Sequence, residues 1–123
     1  PIRGNLTIVQ DKPFPVKRAF WITNAATKCQ RGGHAHKRLY QLLVAVSGLV
    51  DVDVMEPDGN KKQYQLGDPT VGLYVPPLHW LDIYNFQSNT ILLVLASDVY
   101  DENDYIRDFN AYLLLCNNES LLQ

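Results

Sequence analysis

Arg31-Gly32-Gly33-His34-Ala35-His36-Lys37 is the stretch of this chain whose residue types and spacing best suit chemistry. Two histidines stand two residues apart, behind a glycine pair and ahead of the apolar run Leu39 to Val46. On a β-strand, residues i and i+2 share a face. Both imidazoles therefore aim at one spot. Such a pair suits either metal ligation or general acid–base work, because histidine titrates near neutral pH.

A sheet must hold such a pair, and the rest of the chain supplies one. Short apolar or alternating runs recur to about residue 98: Leu6 to Val9, Lys17 to Thr23, Leu39 to Val46, Leu49 to Val54, Lys61 to Leu66, Gly72 to Val75, Trp80 to Phe86 and Ile91 to Ser97. Asp11-Lys12-Pro13-Phe14-Pro15 interrupts after the first, since proline cannot continue a ladder. Asn24 to Gly33 reads as a loop that delivers the His-x-His pair. Pro57-Asp58-Gly59-Asn60 is a hairpin turn. Regularly spaced short strands with Gly, Pro and Asn turns predict an all-β barrel or sandwich. The pattern changes over Asp101 to Leu115, where Tyr105, Ile106, Phe109, Tyr112 and Leu113 fall at near-helical spacing. This predicts a short C-terminal helix or a pair of turns, with Asp101 as cap. Its aromatic residues read as packing, and the charges of Asp101 to Asp108 as a solvated face or subunit contact.

At 123 residues the chain is expected to form one domain, residues 1–123. It is 46% apolar and 20% charged with a net charge of -2, which gives no electrostatic reason to expect nucleic acid or an anionic membrane. Its longest apolar stretches are strand-sized, so no membrane-spanning helix is expected. No signal peptide is read at the N-terminus. Cys29 and Cys116 fit neither a zinc motif nor a disulfide framework, and a cytoplasmic setting is the expectation.

A small β-barrel with His-x-His at its mouth resembles a cupin. The first cupin motif has three or four residues between the second histidine and a glutamate, and six more between that glutamate and a glycine; here, with four and six intervening residues, those positions are Gln41 and Gly48. The second motif places proline and asparagine at Pro76 and Asn85, but its glycine position is Leu78 and its histidine position is Leu81. Two of the four usual metal ligands are thus replaced, and two imidazoles alone hold a metal weakly. The expectation is a metal-free, cofactor-free cupin whose histidines move protons. His79 is a substitute ligand only if the register slips.

RGGHAHK, GLYVPPLHW and LLVLASDVYDENDYIRDF together resemble the nucleotide-sugar 3,4-ketoisomerases of the cupin superfamily, over about Leu6 to Leu113. The resemblance implies conversion of TDP-4-keto-6-deoxyglucose to its 3-keto isomer through an enediol. It implies His36 as main base and His34 as partner acid or orienter. Arg31 or Tyr40 would donate to the developing enediolate, and Asp82 would orient an imidazole or bind a sugar hydroxyl. Lys17, Arg18 and Arg31 are the nearest cations for the substrate's diphosphate, and Trp80 would pack against sugar or base. Leu81 occupies a position that is usually polar in the family and faces the site, which leaves the C4 configuration of the product open. The resemblance also implies a homodimer with exchanged N-terminal strands, and a product that feeds an aminotransferase making 3-amino-3,6-dideoxyhexoses for a bacterial surface glycan. A related nucleotide-sugar 3,5-epimerase and a non-catalytic nucleotide-sugar-binding cupin are the alternatives.

Overall fold

The computed structural model describes residues 3–122, with the side chains of residues 3–117. Its elements run β1 (Arg18–Thr23), β2 (Gln30–His36), β3 (Gln41–Ser47), β4 (Val50–Met55), β5 (Lys61–Leu66), β6 (Leu73–Val75), β7 (Trp80–Tyr84), β8 (Ile91–Ala96), a 3₁₀ turn (Glu102–Asp104), β9 (Tyr105–Ile106) and α1 (Phe109–Leu122). One sheet has the order β1-β8-β3-β6, the other β5-β4-β7-β2-β9. Every pairing is antiparallel.

Alternation in the sequence decides which faces meet. In β4, Val50, Val52 and Val54 are buried while Asp51, Asp53 and Met55 turn outward. In β7, Leu81 and Ile83 point into the space between the sheets, where Leu43, Val94 and Phe86 meet them. β3 is buried on both faces from Gln41 to Ala45, because Phe14 covers Leu42 and Val44 from outside. The helix closes the outer face of β7. The Tyr112 hydroxyl donates to the carbonyls of Met55 (3.1 Å) and Leu78 (2.9 Å), and its ring packs on Trp80.

The expected all-β architecture with a short C-terminal helix is what forms, with three local differences. Leu6 to Val9 is not a strand: its backbone pairs with no strand among the described residues, and Leu6 and Ile8 are 86% and 69% exposed. An apolar run becomes a strand only where a ladder partner exists. Gln30 to Gly33 is not loop but the first half of β2, paired with β7 up to a bulge between Gly32 and His34. The helix does not begin near Asp101. That carboxylate caps the 3₁₀ turn by accepting from the Asn103 amide (3.0 Å), and Tyr105 and Ile106 pair with His36 and Ala35 as β9. The helix starts only where Asp108 accepts from the Asn110 amide (2.9 Å).

Candidate active site

The glycine pair shapes the strand that carries the histidines. Gly32 and Gly33 have φ of 86° and 68°, a left-handed conformation that side chains disfavour. A Cβ on Gly32 would sit 2.5 Å from the Leu81 carbonyl oxygen, so β2 and β7 approach as closely as they do only with glycine there. Past the bulge, His34 lies opposite Leu81 on β7 and His36 opposite Tyr105 on β9. The two imidazoles are 5.1 Å apart, edge to face at 86°. Tyr105 packs against both, at 5.0 Å from His34 and 4.2 Å from His36.

His36 is buried and held at one end. Its Nδ1 lies 3.2 Å from Oδ2 of Asp104. The same carboxylate accepts from the backbone amides of Arg38 (2.8 Å) and Leu39 (3.1 Å). A carboxylate only accepts, so Nδ1 carries the proton and Nε2 is left with its lone pair. Nε2 is buried with no hydrogen-bond partner among the described residues. Burial pushes the pKa of His36 down to about 4, helped by His34 and Arg18 and opposed by Asp104. Burial also lowers that of His34. Both rings are therefore neutral at physiological pH, and His36 presents a free basic nitrogen.

Two cavities meet at Tyr105. The first, of about 350 Å³, is lined by His36, Lys17, Arg18, Arg38 and Tyr40 among others. The second, of about 340 Å³, lies between the sheets and is lined by His34, Arg31, Gln41, Leu81, Phe20 and Arg107 among others. Lys17, Arg18 and Tyr40 thus gather beside His36, and Arg31 and Leu81 beside His34. Tyr40 stacks on Tyr74 at 6.2 Å and forms an outer wall.

Trp80 and Asp82 are not brought to either cavity. With Leu81 facing inward, the two-residue period of a strand turns its neighbours to the other face of the sheet. There Trp80 packs under Phe109 and Tyr112. Asp82 accepts from the Trp80 indole and the Gly33 amide, and burial with Asp53 opposite raises its pKa. Both line a separate cavity of about 490 Å³ with Phe109, and the Asp82 carboxylate is close enough to act on the charge of His34. His79 lines a third place, its Nδ1 2.9 Å from the Pro77 carbonyl oxygen, apart from His34 and His36.

The donor set does not fit a cupin metal. Gln41 and Leu81 stand beside His34 where two ligands would be needed, and no group of three His, Cys, Asp or Glu among the described residues could hold an ion.

Asp104, Tyr105 and Arg107 are the site residues that sequence reading passed over, as solvated charge and packing. Asp104 is instead buried, and Tyr105 is the wall shared by both cavities. Arg107 lies over the Tyr105 ring at 4.2 Å, held there by Glu102 through contacts of 2.8 and 3.0 Å. A signal existed: Asp104 and Tyr105 sit in a motif that resembled a family, and an acidic-aromatic stretch that specific is more than surface.

A two-sheet barrel with an oriented, unprotonated histidine beside a cavity is the arrangement of a cupin-type isomerase. The chain belongs to the FdtA family (WxcM-like, C-terminal), whose model matches residues 1–117. It is 40% identical over 114 residues to a TDP-4-oxo-6-deoxy-alpha-D-glucose-3,4-oxoisomerase of Aneurinibacillus thermoaerophilus, covering 89% of this chain and 81% of that one. Its structure is similar to QdtA, a sugar 3,4-ketoisomerase from Thermoanaerobacterium thermosaccharolyticum in complex with TDP, with a TM-score of 0.91 and 39% identity over 97% of this chain and 88% of that one. A histidine-to-asparagine variant of the same enzyme, in complex with TDP-4-keto-6-deoxyglucose, matches with a TM-score of 0.89 and 39% identity over 94% of this chain and 86% of that one.

Proposed function

We propose that this protein is a TDP-sugar 3,4-ketoisomerase that converts TDP-4-keto-6-deoxyglucose to its 3-keto isomer. The observation that carries the reading is the buried His36–Asp104 pair, which leaves Nε2 of His36 unprotonated in a residue that lines the first cavity. The C3 proton is acidified by the C4 carbonyl. His36 removes it, the electron pair moves onto the C4 oxygen, and an enediol forms. Reprotonation at C4, with loss of the C3 hydroxyl proton, leaves the ketone at C3. His34, 5.1 Å away across the same strand, is the partner that returns or orients the proton. No redox partner is needed, because the hydrogen lost at C3 is balanced by the one gained at C4.

Lys17 on the first cavity and Arg31 on the second are the cations offered to the diphosphate. Leu81, 2% exposed and opposite His34, gives the second cavity an apolar wall. A homodimer with exchanged N-terminal segments is part of the reading. It is supported by the apolar exposure of Leu6 and Ile8 and of Trp21, Val46 and Tyr74 on the first sheet. A cytoplasmic setting follows from a nucleotide-sugar substrate; among the described residues no helix is long and apolar enough to cross a membrane.

The test is proton NMR of TDP-4-keto-6-deoxyglucose with the purified protein in D2O. A 3-keto product supports the isomerase. Exchange at C5 as well as C3 would mark an epimerase, and binding without exchange a non-catalytic cupin.

A further inference from the structure

Arg18 is a cation without an anion. Its guanidinium lies between the rings of Phe20 (5.1 Å) and Tyr100 (5.6 Å). Its Nε is buried and makes no hydrogen bond, and no carboxylate among the described residues pairs with it. The carboxylates of its own cavity are engaged elsewhere. Asp104 serves His36 and two backbone amides, Asp101 serves Arg38 and Asn103, and Asp98 accepts from the Val99 amide. A part-buried charge left without a partner is costly, and proteins keep one where a ligand completes it. The two rings hold the guanidinium in place by cation–π attraction, which leaves its N–H donors spare.

Tyr105 adds a second spare donor. Its ring lies against both imidazoles and lines both cavities, yet its hydroxyl has no hydrogen-bond partner among the described residues. Three residues with unused hydrogen-bonding capacity thus line the first cavity: His36 at Nε2, Arg18 at its guanidinium and Tyr105 at its hydroxyl.

We propose that Arg18 and the Tyr105 hydroxyl are the oxyanion-binding pair of this site, taking the enediolate oxygens of the deprotonated keto-sugar. The inference rests on the ketoisomerase reading and assigns a role that reading leaves open. The oxygens of an enediolate are bonded to the carbon that loses its proton and to its neighbour, so they lie within roughly 3–4 Å of the base. Arg18 shares a cavity wall with His36, and its positive charge is felt there: it is among the groups that keep the imidazole unprotonated. Lys17, by contrast, is exposed, as suits a contact to the outer diphosphate. Donors fixed before the charge develops stabilise the enediolate more than the ketone, and so lower the barrier without tightening substrate binding.

Two substitutions test this. Arg18→Lys keeps the charge but loses Nε and the planar fork; Arg18→Met keeps the apolar stem against Phe20 and loses the charge. The readouts are the rate of C3 deuterium exchange in TDP-4-keto-6-deoxyglucose and the affinity for TDP by calorimetry. The expected result is a fall in exchange of about 10²–10³-fold for Arg18→Met and less for Arg18→Lys, as for loss of an oxyanion donor, with TDP affinity within about threefold of the parent. Loss of TDP affinity in step with exchange would overturn the inference and give Arg18 to the diphosphate. Unchanged exchange would overturn it outright. A third readout needs no turnover. Oxalate, a planar dianion shaped like an enediolate, should shift the ring NMR signals of His36 and Tyr105 in the parent protein and not in Arg18→Met, whose unliganded spectrum reports its folding. If the parent does not exchange the sugar yet binds oxalate this way, the ketoisomerase reading fails and the oxyanion site stands. If the parent exchanges normally and the Arg18 variants do too, the reverse holds.

Discussion

Nδ1 of His36 lies 3.2 Å from Oδ2 of Asp104, across 68 residues of sequence and with both side chains buried. The pairing follows from strand order. β9 lies beside the end of β2 with Tyr105 opposite His36, so Asp104 comes level with Lys37, whose amide donates to the Asp104 carbonyl at 2.9 Å, and the Asp104 carboxylate reaches the neighbouring His36. Asp104 thus fixes the tautomer of the base. Asp104→Asn keeps the shape but lets the amide oppose the required tautomer, and kcat should fall by on the order of 10²–10⁴-fold. TDP affinity should change little. Steady-state kinetics beside calorimetry checks this; an unchanged kcat would remove Asp104 from the account.

The pH dependence carries a definite sign. His36 works as a neutral base, and its pKa is pushed down to about 4 by burial. The acid limb of kcat/KM should therefore lie well below the ordinary histidine value of about 6.5. Stability follows the same shift. The folded-state pKa is lower than the unfolded one, so the unfolded chain binds more protons between them. This contribution to stability is fully present above about pH 6.5 and is lost as pH falls toward 4. Urea denaturation of the parent and of His36→Asn at pH 7 and pH 5 should show a steeper loss in the parent.

The two adjacent glycines should respond differently to alanine. Both pay for a positive φ, about 1 kcal/mol. Gly32→Ala also drives a Cβ to 2.5 Å from the Leu81 carbonyl oxygen, whereas the nearest atom to a Cβ on Gly33 is Asp82 Oδ1 at 3.9 Å. Gly32→Ala should be the more destabilising in urea and should disturb exchange at C3, because β2 must part from β7. Equal effects would mean that the close approach does not hold.

Asp82 faces away from both cavities, beside Trp80 and Gly33. Asp82→Asn retains an oxygen acceptor for both contacts, so turnover should stay within about threefold of the parent, as expected for a group that never meets the transition state. A loss comparable with that of Asp104→Asn would place Asp82 at the substrate after all.

The barrel and the histidine pair were legible in the sequence because both are local. Alternation in Val50 to Val54 names the buried face of β4 without any partner, and His34-x-His36 names a shared face within one strand. What was not legible depends on contacts between distant segments. Asp104 looks like surface charge until β9 is known to lie beside β2. The side of the sheet that Trp80 and Asp82 occupy was not legible either, because a strand's period tells which residues share a face, not which face is inside. Leu6 to Val9 has a strand's composition, yet a strand is a pairing rather than a composition.

The most direct test is to follow the C3 proton of TDP-4-keto-6-deoxyglucose in D2O by NMR, with the parent protein and with His36→Asn, each treated with chelator. The account predicts that the parent replaces that proton with solvent deuterium and accumulates a 3-keto isomer deuterated at C4, while His36→Asn binds the same sugar nucleotide and leaves its C3 signal intact. A His36→Asn variant that still exchanges C3 at the parent's rate would contradict the assignment of the base.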